Sequence, residues 1–463
     1  MSYSDVVPGP DDARTPEEFV RLLRRLRARS ELTYRELEVR AQRHGLHLAR
    51  STTAAVLGRG ALPRAGFVHA YVAACGLTPE PWLGARRRIA AACAAPAEQD
   101  PAVPESGTAG PEHGARTPAV PVVPAQLPSD ISDFTGRTTH LRAIEEVLTG
   151  ADGTPHGVVP TVAVSGMAGV GKTSLAVHAA HALTERFTGG RLFVDLRGAS
   201  AAPAEPGDVL VRFLRALGMR GPAAVPDSTE ELSSLYRTLS ADRDILVVLD
   251  NAASERQIRP LLPGVGGPAV LITSRRRLTS MGPSRSVELG PLPAAHGVEM
   301  LARIVGADRV AAEPGAAADI VRSCGRCPLA VRIAGARLAC RRQWPLARLA
   351  DLLRDERRRL DELAIGDLSV RESLERGYAT LPDATRPAFR LLGLLEVPDF
   401  SAGAAAALLD CPADRAETHL EALVDASLLV AVPAGGADGT RYRMHDLVRI
   451  HARERAVAEG RAG

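Results

Sequence analysis

Apolar residues recur through the first ninety positions at the three- and four-residue spacing of amphipathic helices. Phe19, Leu22, Leu23 and Leu26 fall on one face of a helix predicted from Pro16 to Arg29. Thr33 is placed as the N-cap of a second helix, Tyr34 to Arg43, ended by Gly45. A short third helix is expected from Ser51 to Leu57, stopped by Gly58, and Val68 to Cys75 and Trp82 to Cys93 complete the unit. Beyond Ser129 the pattern changes. Short apolar runs at 158–164, 191–195, 245–249, 269–273 and 286–289 alternate with helical stretches, as in an α/β domain. Residues 294–362 and 366–425 read as helical. Leu428 to Val432 and Tyr442 to Met444 make a hairpin about a Gly435–Gly439 turn, and Asp446 to Val457 is a final helix. Helices, hairpin and helix in that order suggest a winged helix. No internal repeat at a 20–50-residue period is visible.

Proline sets the first boundary. Residues 95–128 hold eight of the 34 prolines, with Ala, Gly, Ser and Thr between them. As a flexible coil this linker would span about 30 Å, so the parts it joins can reorient. The predicted fold class is multidomain α and α/β. It comprises a helix-turn-helix unit at 14–94, the linker at 95–128 and a P-loop nucleotide-binding domain at 129–293. A helical domain at 294–365 and a winged-helix domain at 366–463 follow.

Charge is distributed unevenly. The net charge is +3, yet residues 1–95 carry 15 arginines against nine acids. That balance fits an electrostatic footprint for nucleic acid, and equally a solvated helical surface. In a helix-turn-helix the third helix enters the major groove. Arg50, Thr52, Thr53, Arg59 and Arg64 are then the residues expected to meet phosphates or base edges. The alternative is a helical protein-interaction unit with an arginine-rich face.

The chain holds one lysine among its 57 basic residues, and it is Lys172. It lies in GMAGVGKT, residues 166–173, where Gly166, Gly171, Lys172 and Thr173 satisfy the phosphate-loop pattern with Gly169 inside. A compact ammonium fits between phosphate oxygens where a planar guanidinium is wider and forked. Strand, glycine loop and helix aim backbone N–H groups at phosphate, so Met167, Ala168, Val170 and Ser174 join the expected nucleotide contacts. Lys172 is expected at the β- and γ-phosphates, with Thr173 as a Mg²⁺ ligand. Ile245 to Leu249 is a continuous apolar strand ending in Asp250, which supplies the carboxylate for the same Mg²⁺. The next residue, Asn251, can orient a water but cannot take its proton. Slow ATP turnover, suited to a switch, is expected.

Six cysteines are scattered through the chain, and the Cys324–Cys327 pair has no second pair at metal-binding spacing. They are expected to be reduced thiols. No apolar run is long enough to span a bilayer, and the acidic amino terminus lacks a signal-peptide core. A cytoplasmic protein, nucleoid-associated when bound to DNA and without a membrane partner, is expected.

Six segments occur in order: FTGR at 134–137, GMAGVGKT at 166–173, ILVVLDNA at 245–252, VLITSR at 270–275, CGRCPLAV at 324–331 and RMHDLV at 443–448. Together they resemble the STAND class of P-loop ATPases of the NB-ARC type, over about residues 130–458. The amino-terminal unit more loosely resembles helix-turn-helix domains of actinobacterial regulators in that class. The resemblance implies that Phe134, Gly136 and Arg137 lie near adenine and ribose. It implies that Arg275 senses the γ-phosphate, Pro328 packs on adenine, and His445 reaches the β-phosphate of ADP. On sequence alone Arg275 is either a phosphate partner or a solvated strand end. Family members commonly carry a repeat region after the winged helix as sensor. This chain stops at Gly463, so the expectation is a separate sensor protein, sensing by the linker and winged helix, or a shortened chain. The functional expectation is a DNA-binding transcriptional regulator, off with ADP and self-associating with ATP. A signalling or defence scaffold of the same class is the alternative.

Overall fold

The computed structural model describes residues 10, 13–30, 32–43, 46, 48, 53, 57, 62–63, 65–94, 123–150, 157–200, 202–219, 226–278, 280–433 and 440–460. They belong to two compact units, one within residues 1–118 and the other within 119–219 and 226–463.

The first unit is helical. Its helices are Pro16–Arg29, Tyr34–Arg43, Ala65–Ala74 and Pro79–Ala94. A capping box starts the first one: the Thr15 hydroxyl accepts from the Glu18 amide, and the Glu18 carboxylate accepts from the Thr15 amide. Phe19, Leu23, Leu37, Val68, Tyr71 and Trp82 are buried together. Tyr71 donates its hydroxyl to the Leu23 carbonyl at 3.1 Å. Thr53 and Leu57, from the expected third helix, are both buried. Arg24 Nε donates to the Leu57 carbonyl at 2.7 Å.

The second unit is built on a five-stranded parallel sheet of order β2-β3-β4-β1-β5. The strands are β1 Thr161–Ser165, β2 Gly190–Asp195, β3 Ile245–Ala252, β4 Ala269–Ser274 and β5 Arg285–Glu288. All five match the strands expected from apolar runs, with no end moved by more than three residues. β1 and β4 are buried along their whole length, as expected of parallel strands covered on both faces by crossover helices. The sheet begins earlier than the linker boundary implied. Residues 124–126 already pair with the edge strand: Arg191 N donates to the Pro124 carbonyl at 2.7 Å and Gln126 N to the Arg191 carbonyl at 3.0 Å.

Helices Ala294–Val305, Pro314–Ser323, Pro328–Cys340 and Leu346–Arg354 follow, with shorter ones at Ala307–Ala312 and Glu356–Glu362. After a two-stranded pair, β6 Ala364–Ile365 and β7 Leu368–Ser369, come helices Val370–Tyr378 and Arg386–Leu392. β8 Phe400–Ser401 is followed by helices Ala402–Leu409 and Ala413–Asp425. β9 Leu429–Pro433, β10 Thr440–Met444 and helix Asp446–Gly460 close the chain. β10 lies between β8 and β9 in an antiparallel sheet. The expected hairpin and final helix are therefore present; the Gly435–Gly439 turn lies outside the described residues. One buried apolar cluster runs from Ile144 to Ala452, so residues expected to form three domains share a core.

Candidate functional site

The phosphate loop leads from β1 into helix Lys172–Ala182. Gly166, Gly169 and Gly171 all take positive φ, which is the reason for glycine at these positions. Gly171 is the N-cap, and no side chain caps the helix. Its first N–H groups therefore remain available to an anion. Lys172 Nζ donates to the carbonyls of Gly166 at 2.7 Å and Met167 at 2.8 Å. Burial and the nearby Arg275 cation push its pKa down to about 7, against the opposing pull of Asp250 and Cys327. A desolvated ammonium held only by carbonyls is a site prepared for phosphate oxygens.

Strand order assembles the acid end. Because β4 lies between β1 and β3, Thr273 of β4 meets Asp250 of β3, and its hydroxyl donates to Asp250 Oδ1 at 2.5 Å. Thr173 Oγ1 donates to Asp250 Oδ1 at 2.8 Å and Oδ2 at 3.1 Å. Burial raises the Asp250 pKa and the neighbouring Asp195 charge adds to this, while the two threonine hydroxyls and Lys172 counter it. A threonine hydroxyl and a carboxylate are hard oxygen donors, the chemistry that Mg²⁺ takes. The donors and the ammonium therefore fit a magnesium nucleotide. Thr173 and Asp250 are the residues that would hold the ion, and the ion would supply charge neutralisation at the phosphates.

These groups open onto a cleft of about 490 Å³. Phe134, Arg137, Ala168, Gly169, Val170, Gly171, Lys172, Thr173, Ser174, Asp250, Arg275 and Pro328 all line it. Ile131, Leu292, Met300, Pro328 and Leu329 give it an apolar part suited to a flat base. Phe134 stacks on His178 with ring centroids 3.9 Å apart. Arg137 is buried, and its guanidinium donates to the Gly290 carbonyl at 2.6 Å, so it holds the wall in shape. Leu329 N and Cys327 Sγ both donate to the Gly169 carbonyl, at 3.1 and 3.3 Å, which docks the CGRCP segment on the phosphate loop. Burial keeps the Cys327 thiol protonated by raising its pKa. Cys75, Cys324, Cys327, Cys340 and Cys411 are free, and the described residues contain no metal-binding cluster.

Several expectations change. Gly136, Gly166 and Met167 support the cleft without lining it; a side chain at Gly136 would strike the His296 ring. His445 does not line it either. Its Nε2–H donates to the Gly325 carbonyl at 2.8 Å, and its Nδ1 accepts from Leu447 N at 3.2 Å. Both ring nitrogens are used, so here His445 fastens the last segment to the CGRCP loop; its contact with a β-phosphate stands as a proposal. Arg275 is neither a solvated end nor turned only to phosphate, because its Nη1 donates to the Ser373 carbonyl at 2.8 Å. Burial and nearby Arg376 lower its pKa to about 10. Thr53 is fully buried and so offers no surface to DNA. Arg50, Thr52, Arg59 and Arg64 lie outside the described residues.

Sequence reasoning missed Asp195, Arg197, Thr273, Ser373 and Arg376, all in the cleft wall. Asp195 ends an apolar strand as Asp250 does, and that shared pattern was the available signal. Asp133 also lines the cleft, paired with Arg332, and Asp195 puts a further carboxylate beside Asp250, brought by β2 rather than by the residue after Asp250.

Over most of its length the chain is similar to known regulators. No protein-family model matches it. It is 48% identical over 370 residues to the regulatory protein AfsR of Streptomyces coelicolor, covering 79% of this chain and 36% of that protein. It is 50% identical over 330 residues to the AfsR of Streptomyces griseus, covering 71% and 33%. The chain thus spans about a third of the length of these relatives. Among solved structures, a Walker-type ATPase of Pyrococcus abyssi matches with TM-score 0.47 and 16% identity, over 71% of this chain and 98% of that one. A STAND protein of Pyrococcus horikoshii with a tetratricopeptide repeat sensor matches with TM-score 0.33 and 18% identity, over 70% and 43%. The phosphate loop, the strand-end aspartate and identity at this level place the chain with the AfsR regulatory proteins over the part of their length that it matches.

Proposed function

We propose that this protein is a transcriptional regulator switched by nucleotide: ADP holds it off, ATP with Mg²⁺ turns it on, and slow hydrolysis resets it. The observation that carries the reading is the link between the phosphate end of the cleft and the carboxyl-terminal elements. Arg275, at the end of β4, bonds to Ser373 through its guanidinium, and its carbonyl accepts from Ser427 Oγ at 2.6 Å. Any change at the terminal phosphate that moves Arg275 is thus felt by helix Val370–Tyr378 and by the segment before β9. In this reading residues 366–463 act as a winged helix closed on the nucleotide domain, with residues 294–365 as the helical domain between them. His445 locks the closed form through Gly325. Moving such a switch from 1:99 to 99:1 takes about 5.5 kcal/mol of differential binding.

The basic unit at 14–94 is the DNA-binding part of the proposal, acting as a helix-turn-helix in the cytoplasm and on the nucleoid. Paired units in an ATP-bound self-associated form would engage DNA, and a separate sensor protein would set the balance. Similarity to two regulatory proteins supports this reading. The test is fluorescence anisotropy with a pool of genomic DNA fragments, in ADP and in a non-hydrolysable ATP analogue, across salt. Affinity that rises with the analogue and falls steeply with salt is expected. No affinity at low salt in either state sinks the proposal. The burial of Thr53 favours keeping a second reading, a scaffold whose amino-terminal helices recruit protein. It predicts nucleotide-dependent assembly with DNA affinity unchanged by replacing Arg50, Arg59 and Arg64.

A further inference from the structure

We infer that Asp195 is the general base of ATP hydrolysis in this protein, working with Asn251 to hold the attacking water. The inference deepens the proposed function and rests on its reading of the cleft as a nucleotide site.

Asp195 and Asp250 are partners in register on adjacent parallel strands. Their backbones are therefore one inter-strand spacing apart, about 4.8 Å. Asp250 is committed to the two threonine hydroxyls and the expected Mg²⁺ position. Asp195 is exposed to the cleft, and its described contacts fall on one oxygen. Oδ1 accepts from Arg197 N at 2.7 Å and from Asn251 Nδ2 at 3.2 Å. Oδ2 is left to accept a proton.

The backbone around the pair is built for this placement. β3 carries an irregularity between Leu249 and Ala252, and Asn251 takes φ 54°, in the left-handed region. Bulges of this kind re-aim a side chain next to a site. Here the bulge turns the Asn251 amide across the sheet to Asp195. The loop after Asp195 is pressed against it: Gly198 N donates to the Asn251 carbonyl at 2.7 Å. A side chain at Gly198 would lie 2.4 Å from Ala253 N, so only glycine allows this approach. Buried Gln257 ties both loops together, donating to the Leu196 and Ala204 carbonyls at 3.0 and 2.9 Å and accepting from Ala253 N at 3.0 Å. A carboxylate and an amide held rigidly side by side, in the cleft that Lys172 also lines, can position one water.

The step balances with water and ATP alone. The water oxygen forms a bond to the γ-phosphorus as the bond from that phosphorus to the β–γ bridging oxygen breaks. ADP leaves with the electron pair, inorganic phosphate forms, and the water proton passes to Asp195 Oδ2. Asn251 alone could not accept that proton.

The test compares full-length wild type with Asp195→Asn, which keeps an oxygen to accept from Arg197 N and Asn251 Nδ2. Single-turnover ATP hydrolysis, Kd for fluorescent ADP and a non-hydrolysable triphosphate, and the Mg²⁺ dependence of each are measured. Loss of a general base is expected to slow hydrolysis by roughly 10²-fold or more, with both Kd values within about twofold of wild type. That retained binding also shows that the variant folds. Hydrolysis within threefold of wild type overturns the inference. So does a loss that is recovered at high Mg²⁺, which would make Asp195 a metal ligand. Wild type that binds both nucleotides but hydrolyses nothing above background overturns the inference and leaves the nucleotide switch standing. Wild type that binds neither removes both.

Discussion

Arg275 and Ser373 are 98 residues apart in sequence and joined by a 2.8 Å hydrogen bond from guanidinium to carbonyl. The bond crosses from the end of β4, beside the phosphate loop, to a helix of the carboxyl-terminal region. A strand end proposed to sense phosphate charge is thereby fastened to the part that would move in the proposed switch. Arg376, on the same helix, adds a further guanidinium to the cleft wall.

Arg275→Ala should uncouple the two regions. A hydrogen bond involving a charged group contributes about 1.5–3 kcal/mol, so the ratio of ADP to ATP affinity should shift by on the order of tenfold or more. Titration with fluorescent ADP and a triphosphate analogue measures it. An unchanged ratio would show that Arg275 does not read the terminal phosphate.

Lys172→Ala should abolish nucleotide binding or leave it very weak, and Lys172→Arg should fail as well. The pH dependence follows from the pKa of about 7 in the folded protein. The ammonium must be protonated to hold phosphate, so affinity should fall above pH 7, approaching tenfold per pH unit. Isothermal titration from pH 7.5 to 9.5, where the phosphates stay ionised, checks the slope. Normal ATP affinity in the arginine variant would refute the geometric argument for the lone lysine.

Thr273→Val removes the donor to Asp250 Oδ1 while keeping the shape of a buried side chain. The carboxylate loses a charge-assisted bond, so its raised pKa should rise further. Mg²⁺ dependence of nucleotide binding should weaken roughly tenfold, in line with about 1.4 kcal/mol per decade. A metal titration at fixed nucleotide reads this directly.

His445 should act as a latch whose strength depends on pH. Burial depresses its pKa, opposed by the bond to Gly325. The neutral form, with Nε2–H donating and Nδ1 accepting, is the one the fold uses. A folded pKa below the unfolded value of about 6.5 means that the unfolded chain binds more protons in that window. Stability should therefore fall as pH drops below about 6.5, and less so in His445→Gln. Urea unfolding at pH 7.5 and 5.5 makes the comparison. His445→Ala should also speed ADP release; an unchanged rate would remove its latch role.

Gly325→Ala tests the same contact from the other side. Gly325 takes φ 57°, and an added Cβ would lie 2.4 Å from His445 Cε1. Backbone strain and the clash together should cost about 1–3 kcal/mol. The melting temperature reports it, and a variant as stable as wild type would show that the two segments are not locked.

Much of this protein was legible in the chain because the relevant signals are local. Short apolar stretches marked all five strands of the parallel sheet, and glycine spacing with one lysine marked the phosphate loop. Both depend on residues within about ten positions of each other. Asp250 was legible for the same reason, as the polar end of an apolar strand. What only the tertiary structure decided is which distant residues share the cleft. The order β2-β3-β4-β1-β5 puts Thr273 against Asp250 and Asp195 beside it. A bulge at Asn251 turns its amide to that second acid, and no periodicity records a bulge. His445 meets a backbone carbonyl 120 residues earlier, at Gly325, a partner that no local pattern names. Short-range patterns encode elements; strand order, register and the meeting of separate segments arise only when the whole unit buries its core.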